Sequence, residues 1–124
     1  MNKQIRGKLY SILLICNVIF FHSIGQDKQT EYPGGLPKFY EYVKNNLKYP
    51  KDAKQAGISG RVFIGFTVAA DGTIEDATIE IVKSLHPSCD NEAIRLIKEC
   101  KKWNPSINGG KPVRQKIVLP IIFD

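Results

Sequence analysis

The sequence is poor in the residues on which most enzymes and metalloproteins depend. Its 124 residues include only three cysteines, two histidines, one methionine and one tryptophan. It has no Cys-x-x-Cys pair, metalloprotease helix, nucleophile elbow or phosphate-binding loop, so thiol redox chemistry, zinc proteolysis, serine hydrolysis and nucleotide binding lack their motifs. The acidic residues are spread along the chain and do not converge on one site. We therefore expect no enzyme activity, no catalytic residue, no cofactor and no bound metal.

The apolar run at the N-terminus is shorter than the roughly 18 residues that favour a membrane-spanning helix. It covers residues 9–21, follows a basic start and precedes Ser23-Ile24-Gly25, the small-residue pattern of a signal-peptide cleavage site. We interpret residues 1–25 as a signal peptide, 26–35 as a flexible lead-in and 36–124 as the folded domain. Export then places the protein in the periplasm, and retention of residues 1–25 as an inner-membrane anchor is the alternative.

The basic net charge belongs partly to this N-terminal segment. Three of the 18 lysines and arginines, and none of the 12 acidic residues, lie in residues 1–25, so cleavage leaves 15 basic against 12 acidic residues, a net charge of +3 instead of +6. That charge is ordinary for a small domain, and we expect no nucleic-acid partner.

Cleavage leaves two cysteines, whose spacing predicts that they are unpaired. Cys89, Ala93 and Cys100 fall on one face of a predicted helix with acidic residues in its first turn and lysines at its end. Along a helix the two cysteines lie ~16 Å apart, whereas a disulfide needs Cα atoms within about 7 Å. We expect two small core residues, with Ser88 capping the helix.

The remaining patterns predict an α+β fold of two layers. Apolar residues at helical spacing begin at Leu36, alternating residues predict strands around 62–68 and 77–81, and a final alternating strand includes residues 113–123. The simplest packing is a three-stranded antiparallel sheet covered by two main helices, in the order α-β-β-α-β. Asp71-Gly72 predicts a tight turn in which both residues have positive φ, and Ala77 is expected to face inward. Trp103 is expected to close one end of the core.

A set of short motifs occurs in fixed order over the C-terminal two thirds of the chain: Tyr49-Pro50, Gly57-Ile58-Ser59-Gly60-Arg61-Val62, Asp71-Gly72, Asp90-x-Glu92-Ala93, Trp103-x-Pro105 and Gly110-Lys111-Pro112-Val113. This order resembles the C-terminal domain of TonB, the periplasmic protein that couples inner-membrane energy to outer-membrane transporters. Upstream, Tyr32-Pro33-Gly34-Gly35 resembles the lead-in of Bacteroidetes members of that family.

The last strand contains Pro120, which lacks an N–H and so predicts an edge strand or a bulge. An edge can accept an extended peptide as an added strand. The resemblance implies that the peptide is the TonB box of an outer-membrane transporter, or a segment of a related envelope protein. The implied partner-binding residues are Val113, Arg114, Gln115, Lys116, Ile117, Val118 and Leu119.

Two further properties of the predicted docking module stay open. The basic residues Lys98, Lys101, Lys102, Lys111, Arg114 and Lys116 form either a solvated face or an electrostatic guide for an acidic partner. The edge could instead pair with a second copy, giving a self-associating structural or regulatory protein. Because the chain has no Pro-rich arm, we expect docking without force transmission, unless residues 1–25 are retained as the anchor of a true energy transducer.

Overall fold

The computed structural model describes residues 27–124, so the predicted signal peptide lies outside the described residues. The elements are α1 (Leu36–Asn46), α2 (Lys51–Gln55), β1 (Gly60–Val68), β2 (Ile74–Lys83), α3 (Pro87–Glu99), β3 (Ser106–Asn108), β4 (Lys111–Val113) and β5 (Gln115–Phe123). The predicted order of main elements is confirmed. The structure adds the short hairpin β3–β4, which the sequence did not predict as strands. Within residues 27–124 no helix has the length and apolar character needed to cross a membrane.

The three long strands form one antiparallel sheet in the order β2-β1-β5. The central strand β1 places Val62, Ile64, Phe66 and Val68 on one face, where all four are fully buried. These side chains share a core with residues of α1 and α3, including Phe39 and Leu96. The predicted two-layer α+β fold, with helices on one face of a three-stranded sheet, is therefore confirmed.

Trp103 lies at the centre of an aromatic cluster in this core. It is 3% exposed, and its ring centroid lies 5.4–5.6 Å from those of Tyr32, Phe39 and Phe66. Its indole N–H donates to the Cys100 sulfur at 3.4 Å. The expectation that Trp103 is a core residue is confirmed, and it joins residues from the start, middle and end of the described chain.

Helix α3 places the two cysteines as the spacing predicts, but its first turn differs from the prediction. Cys89 is buried near the start of the helix, Cys100 is its C-cap, and both thiols are free. The helix begins at Pro87, and the capping residue is His86, whose Nδ1 accepts from the N–H of Ser88. Ser88 is therefore not the cap: with Pro87 at the first helical position, the cap is His86, two residues upstream of the predicted one.

Strand β2 departs from simple alternation at Ala77, which is exposed. Gly65 of β1 pairs with Glu80, but two residues later Thr67 pairs with Glu75, so β2 carries extra residues in a bulge. Thr78 closes the bulge: its hydroxyl donates to the Glu75 carbonyl at 2.6 Å and accepts from the Thr67 N–H at 2.9 Å. The inward orientation predicted for Ala77 is therefore wrong.

The turn between β1 and β2 is also of a different type from the predicted one. Gly72 has φ +89°, whereas no residue other than glycine has positive φ among the described residues, so Asp71 does not. The N–H of Ala69 donates to the Thr73 carbonyl at 2.8 Å, and that of Gly72 donates to the Ala69 carbonyl at 2.9 Å. This is a three-residue loop whose last position is left-handed, a common hairpin connection that needs glycine once.

Residues 27–35 differ from the expected flexible lead-in. Lys28 exchanges two backbone hydrogen bonds with Ile107 at 2.8–2.9 Å, and Glu31 exchanges two with Asn104 at 2.8–3.1 Å. Tyr32 is only 5% exposed. The polar composition indicated mobility, but a buried aromatic residue and the four backbone bonds of two isolated β-bridges fix the segment beside β3 and the residues that precede it.

A buried ion pair joins the end of α1 to α3. Glu92 is 8% exposed, and its carboxylate accepts from the N–H of Lys48 at 2.6 Å and from two nitrogens of Arg95 at 2.7 Å. Arg95 also donates to the Asn46 carbonyl at 2.9 Å. The glutamate of the Asp90-x-Glu92-Ala93 motif therefore holds the connection between α1 and α2 against α3.

Substituting Glu92 should change how stability depends on pH. Burial raises the pKa of Glu92, but hydrogen bonds from Arg95 and the Lys48 N–H outweigh it, so the pKa is lowered overall. A lowered folded-state pKa means that this stabilisation is present above the unfolded pKa of about 4.3 and is lost as the pH falls through the folded value. We expect Glu92→Gln to reduce the free energy of unfolding by about 1–3 kcal/mol at pH 7.

Urea denaturation of the protein at pH 7, 5 and 3 measures this effect. The free energy of unfolding of Glu92→Gln should fall less steeply below pH 5 than that of the native protein. Glu41→Gln is the control, because Glu41 forms an exposed pair with Lys38 at 3.1 Å that contributes little. Parallel pH profiles for the native and Glu92→Gln proteins would contradict the assignment.

Candidate functional site: the edge of strand β5

The sheet has two edges, and the edge formed by β2 is poorly suited to pairing with another strand. Its pairing with β1 has two register shifts, and the second is the bulge closed by Thr78. Acidic side chains, including Glu75, Asp76 and Glu80, are spread along the strand. Bulges and charges are the usual means by which proteins protect an edge strand from further pairing.

The edge formed by β5 is regular. All nine of its residues pair with β1, from Gln115 with Val68 to Phe123 with Gly60, without a register shift. On its other side no strand within residues 27–124 pairs with it. The expectation that the Pro120-bearing strand lies at a sheet edge is therefore confirmed, and Pro120 is accommodated without a bulge opposite Phe63.

The seven residues predicted to bind a partner do not all lie on this edge. Val113 belongs to β4 and pairs with Ser106 of β3. Arg114 lies in the connection between β4 and β5. Residues 115–119 lie in β5 itself. Five of the seven residues thus lie together on one regular edge. The backbone of Val113 is instead paired within the β3–β4 hairpin.

Two of the basic residues next to this edge are already paired. Arg114 binds Glu75 through two hydrogen bonds of 2.6 and 2.9 Å, and Lys116 binds Glu80 at 2.5 Å. The hydrogen bond from Arg114 lowers the pKa of Glu75. The Lys116 pair reaches from β5 to β2 across β1, where Thr67 is opposite Lys116 and Gly65 is opposite Glu80. The positive charge available to a partner at this edge is correspondingly reduced.

The face of the sheet opposite the helices carries an apolar strip beside the edge. Three of the four large hydrophobic side chains with the highest exposure belong to the long strands: Val82 at 54%, Val118 at 45% and Ile122 at 43%. Val118 and Ile122 alternate along β5 with the buried Ile121 and Phe123. A strand added to β5 would therefore meet apolar side chains on this open face.

Two contacts at the ends of β5 could not be found from the sequence. At one end the hydroxyl of Tyr40 donates to the carbonyl of Pro120 at 3.0 Å. At the other end the side-chain oxygen of Gln115 accepts from the N–H of Thr30 at 2.8 Å. The partners are 80 and 85 residues apart. No periodicity or local motif indicates such pairs.

The described part of the chain contains no group of three or more His, Cys, Asp or Glu side chains placed to hold a metal ion. His86 is engaged in capping α3, and Cys89 is buried in the core. Burial raises the pKa of the Cys89 thiol, which favours the protonated, unreactive form. The regular edge of β5 is therefore the feature that best fits a functional site.

Comparison with known families matches most of the described region. The family model described as "Gram-negative bacterial TonB protein C-terminal" matches residues 45–124. The protein TonB of Pseudomonas aeruginosa is 31% identical over 75 residues, and that of Helicobacter pylori strain J99 is 41% identical over 49 residues. These matches span 60% and 40% of this chain but only 21% and 17% of the relatives.

Solved structures agree with the sequence matches. Two NMR structures of the C-terminal domain of TonB from Helicobacter pylori superpose with TM-scores of 0.52 and 0.53 at 26% identity. The first superposition covers 71% of this chain and 78% of the other, and the second covers 72% and 91%. The fold and the sequence thus lead to the same family.

Proposed function

Because the chain belongs to the family of TonB C-terminal domains, we propose that it acts in TonB-dependent energy transduction as a docking module. Its partner is an extended segment, the TonB box, of an outer-membrane transporter or related envelope protein. The segment binds by adding to β5 along residues 115–119, with Arg114 at one end. The predicted site thereby loses Val113, whose backbone pairs with Ser106.

The observation that carries this proposal is the unshifted nine-residue ladder of β5 at an otherwise unpaired edge. Strand addition needs a regular edge, because main-chain hydrogen bonds supply much of the affinity and a bulge interrupts them. Apolar side chains of the added strand could pack against the exposed side chain of Val118. The other sheet edge also exposes an apolar side chain, that of Val82, but its ladder with β1 is interrupted by two register shifts.

The site of action that we propose is the periplasm, reached through cleavage of the signal peptide at residue 25. The folded domain supplies docking. Transmission of force would require an anchor, and residues 1–25 would supply one in the inner membrane if they were retained. Mass spectrometry of the N-terminus after export distinguishes the two arrangements.

A peptide titration tests the docking function. Isotope-labelled exported protein, mixed with a synthetic TonB-box peptide, should show amide NMR shifts concentrated along residues 115–119. Val118→Pro should weaken binding by about tenfold or more, because it removes an edge N–H that the peptide would use. We expect the fold to stay intact, because Val118 lies two residues from Pro120 in a ladder without a register shift, so its N–H has the direction of the Pro120 nitrogen and is not used by β1.

Ile122→Pro is the matched control for this experiment. It also introduces a proline into β5, and Ile122 is as exposed as Val118, but the residue lies beyond the proposed docking stretch. The affinity of the Ile122→Pro variant for the peptide should stay within about twofold of that of the native protein. Absence of shifts along residues 115–119, or equal loss of binding in both variants, would refute docking at this edge.

A homodimer formed through the same edge is the competing function. The same regular ladder could pair with a second copy of β5, since unpaired edges associate with one another unless they are protected. Sedimentation analysis separates the two, because a stable dimer with a sealed edge would not accept the peptide. A monomer that binds the peptide supports the docking module.

A further inference from the structure

The edge of β5 is open over only part of its length. Pro120 has no N–H to offer an added strand, and its carbonyl oxygen already accepts the Tyr40 hydroxyl at 3.0 Å. Neither the nitrogen nor the carbonyl oxygen of Pro120 is thus available for a hydrogen bond with an added strand. Tyr40 belongs to α1, so the helix layer reaches over the edge at this point.

The direction of the other backbone groups follows from the regular ladder. In an antiparallel pair, the N–H and C=O of one residue both point toward the partner strand, and those of the next residue both point away. Pro120, which lacks an N–H and has its carbonyl bound by a helix side chain, has the features of a residue that points away from β1. Since the ladder has no shift, Lys116, Val118 and Ile122 share that direction.

The outward groups before Pro120 are therefore those of Lys116 and Val118. Within residues 27–124, no loop backbone and no side chain forms a hydrogen bond with the backbone of either residue. The N–H and C=O of the two residues offer at most four main-chain hydrogen bonds. Ile122 lies on the far side of Pro120 and cannot be joined to this set without crossing the closed position.

We infer that Tyr40 and Pro120 together end the docking site, so that the edge accepts a segment of only about five extended residues. This inference rests on the proposed docking function and defines the length of its ligand. The docked segment must leave the sheet at Pro120. Tyr40 is a specificity-determining residue, because its hydroxyl occupies the acceptor that a longer strand would need.

The surroundings of Tyr40 support a permanent closure. Its side chain is half-buried and packs against Phe39, with ring centroids 5.1 Å apart. Burial raises the pKa of Tyr40 and outweighs the lowering by the charge of Arg61, so the hydroxyl stays protonated and able to donate at neutral pH. A closure of this kind does not depend on a proton or a ligand.

The open face indicates the chemistry of the short segment. Within the docking stretch, Val118 presents its side chain, 45% exposed, to the open face. The residue of the added strand opposite Val118 lies within contact distance of it, since directly opposed side chains in a sheet are about 5 Å apart. We expect this residue to be apolar, and its neighbours to contribute mainly backbone bonds.

Tyr40→Phe is the variant that tests the closure, and Tyr42→Phe is its matched control. Tyr42 lies on the same helix and donates to a backbone carbonyl, that of Leu96, at 2.7 Å, so both variants lose one hydroxyl bond to the backbone. Calorimetric titration uses two synthetic TonB-box peptides, one of about five residues and one lengthened by about four residues at each end.

The native protein and Tyr42→Phe should bind both peptides with dissociation constants within about twofold of each other. Tyr40→Phe should bind the long peptide about threefold to tenfold more tightly than the short one, because the Pro120 carbonyl becomes available. Hydrogen exchange provides a second readout. In the native complex the amides of Lys116 and Val118 should gain protection and that of Ile122 should not.

A native protein that already prefers the long peptide, or protection that extends through Ile122, would overturn the closure while leaving the docking function intact. A Tyr40→Phe variant without length preference would do the same. If neither peptide binds the native protein, the docking function itself fails and the inference fails with it. The two failures are therefore distinguishable.

Discussion

Replacing Trp103 with alanine is expected to lower the free energy of unfolding by about 3–5 kcal/mol, the usual cost of removing a large buried aromatic side chain. The ring is 3% exposed and contacts aromatic rings from the N-terminal segment, α1 and β1. Single domains are stable by only about 5–15 kcal/mol, so this loss would leave the variant close to unfolding. Urea denaturation followed by far-ultraviolet circular dichroism measures it without relying on tryptophan fluorescence.

Leu36→Ala is the control for this substitution. It also truncates a large apolar residue, but Leu36 is 48% exposed. Its effect should stay within about 0.5 kcal/mol. Trp103→Phe should lie between the two, because it keeps an aromatic ring in the cluster. If Trp103→Ala cost no more than Leu36→Ala, the aromatic cluster would not be the centre of the core.

Replacing Gly72 with alanine is expected to destabilise the domain for two separate reasons. Its φ of +89° is a conformation that costs a residue with a Cβ about 1–3 kcal/mol. In addition, a Cβ at this position would lie 2.3 Å from the carbonyl oxygen of Trp103, so the turn would have to move away from the core. The turn is held there by the N–H of Trp103, which donates to the Gly72 carbonyl at 2.9 Å.

Gly109→Ala separates the two costs of this substitution. Gly109 has φ +60° and nothing within 4 Å of a Cβ built on it, so alanine there carries the backbone cost without the collision. We expect Gly72→Ala to lower the free energy of unfolding by at least about 2 kcal/mol more than Gly109→Ala. Equal losses in thermal or urea unfolding would show that the contact with Trp103 is not rigid.

Local patterns in the sequence were sufficient for the main elements. Alternation along β1 and helical spacing from Cys89 to Cys100 depend on which face of each element is buried, and both were confirmed. Pro120 gave the edge position of β5 because the missing N–H is a property of that residue alone. Periodicity and a missing N–H are local properties, so they can be read from the sequence without knowing the rest of the fold.

The features that the sequence did not predict depend on distant partners. Ala77 is exposed because Thr78 bonds to both strands and closes a bulge, which no alternation pattern contains. Glu92 is buried because Arg95 and the backbone of Lys48 satisfy its charge. In the candidate site, the edge position of residues 115–119 could be predicted from the sequence, but the hydrogen bond from Tyr40 to the Pro120 carbonyl depends on how α1 lies over β5.

The pairing of Lys28 with Ile107 and of Glu31 with Asn104 has a mechanical consequence. Its four backbone bonds form two groups, one at Lys28 and one at Glu31, and the Asp27 carboxylate just before them accepts from the N–H of Gly109 at 3.0 Å. A pull from the upstream chain is therefore expected to load the Asp27 contact first, then the Lys28 pair and the Glu31 pair, and only afterwards the buried ring of Tyr32. The hydrogen-bonded contacts of the segment would break one after another before tension reached the sheet that bears the proposed docking edge.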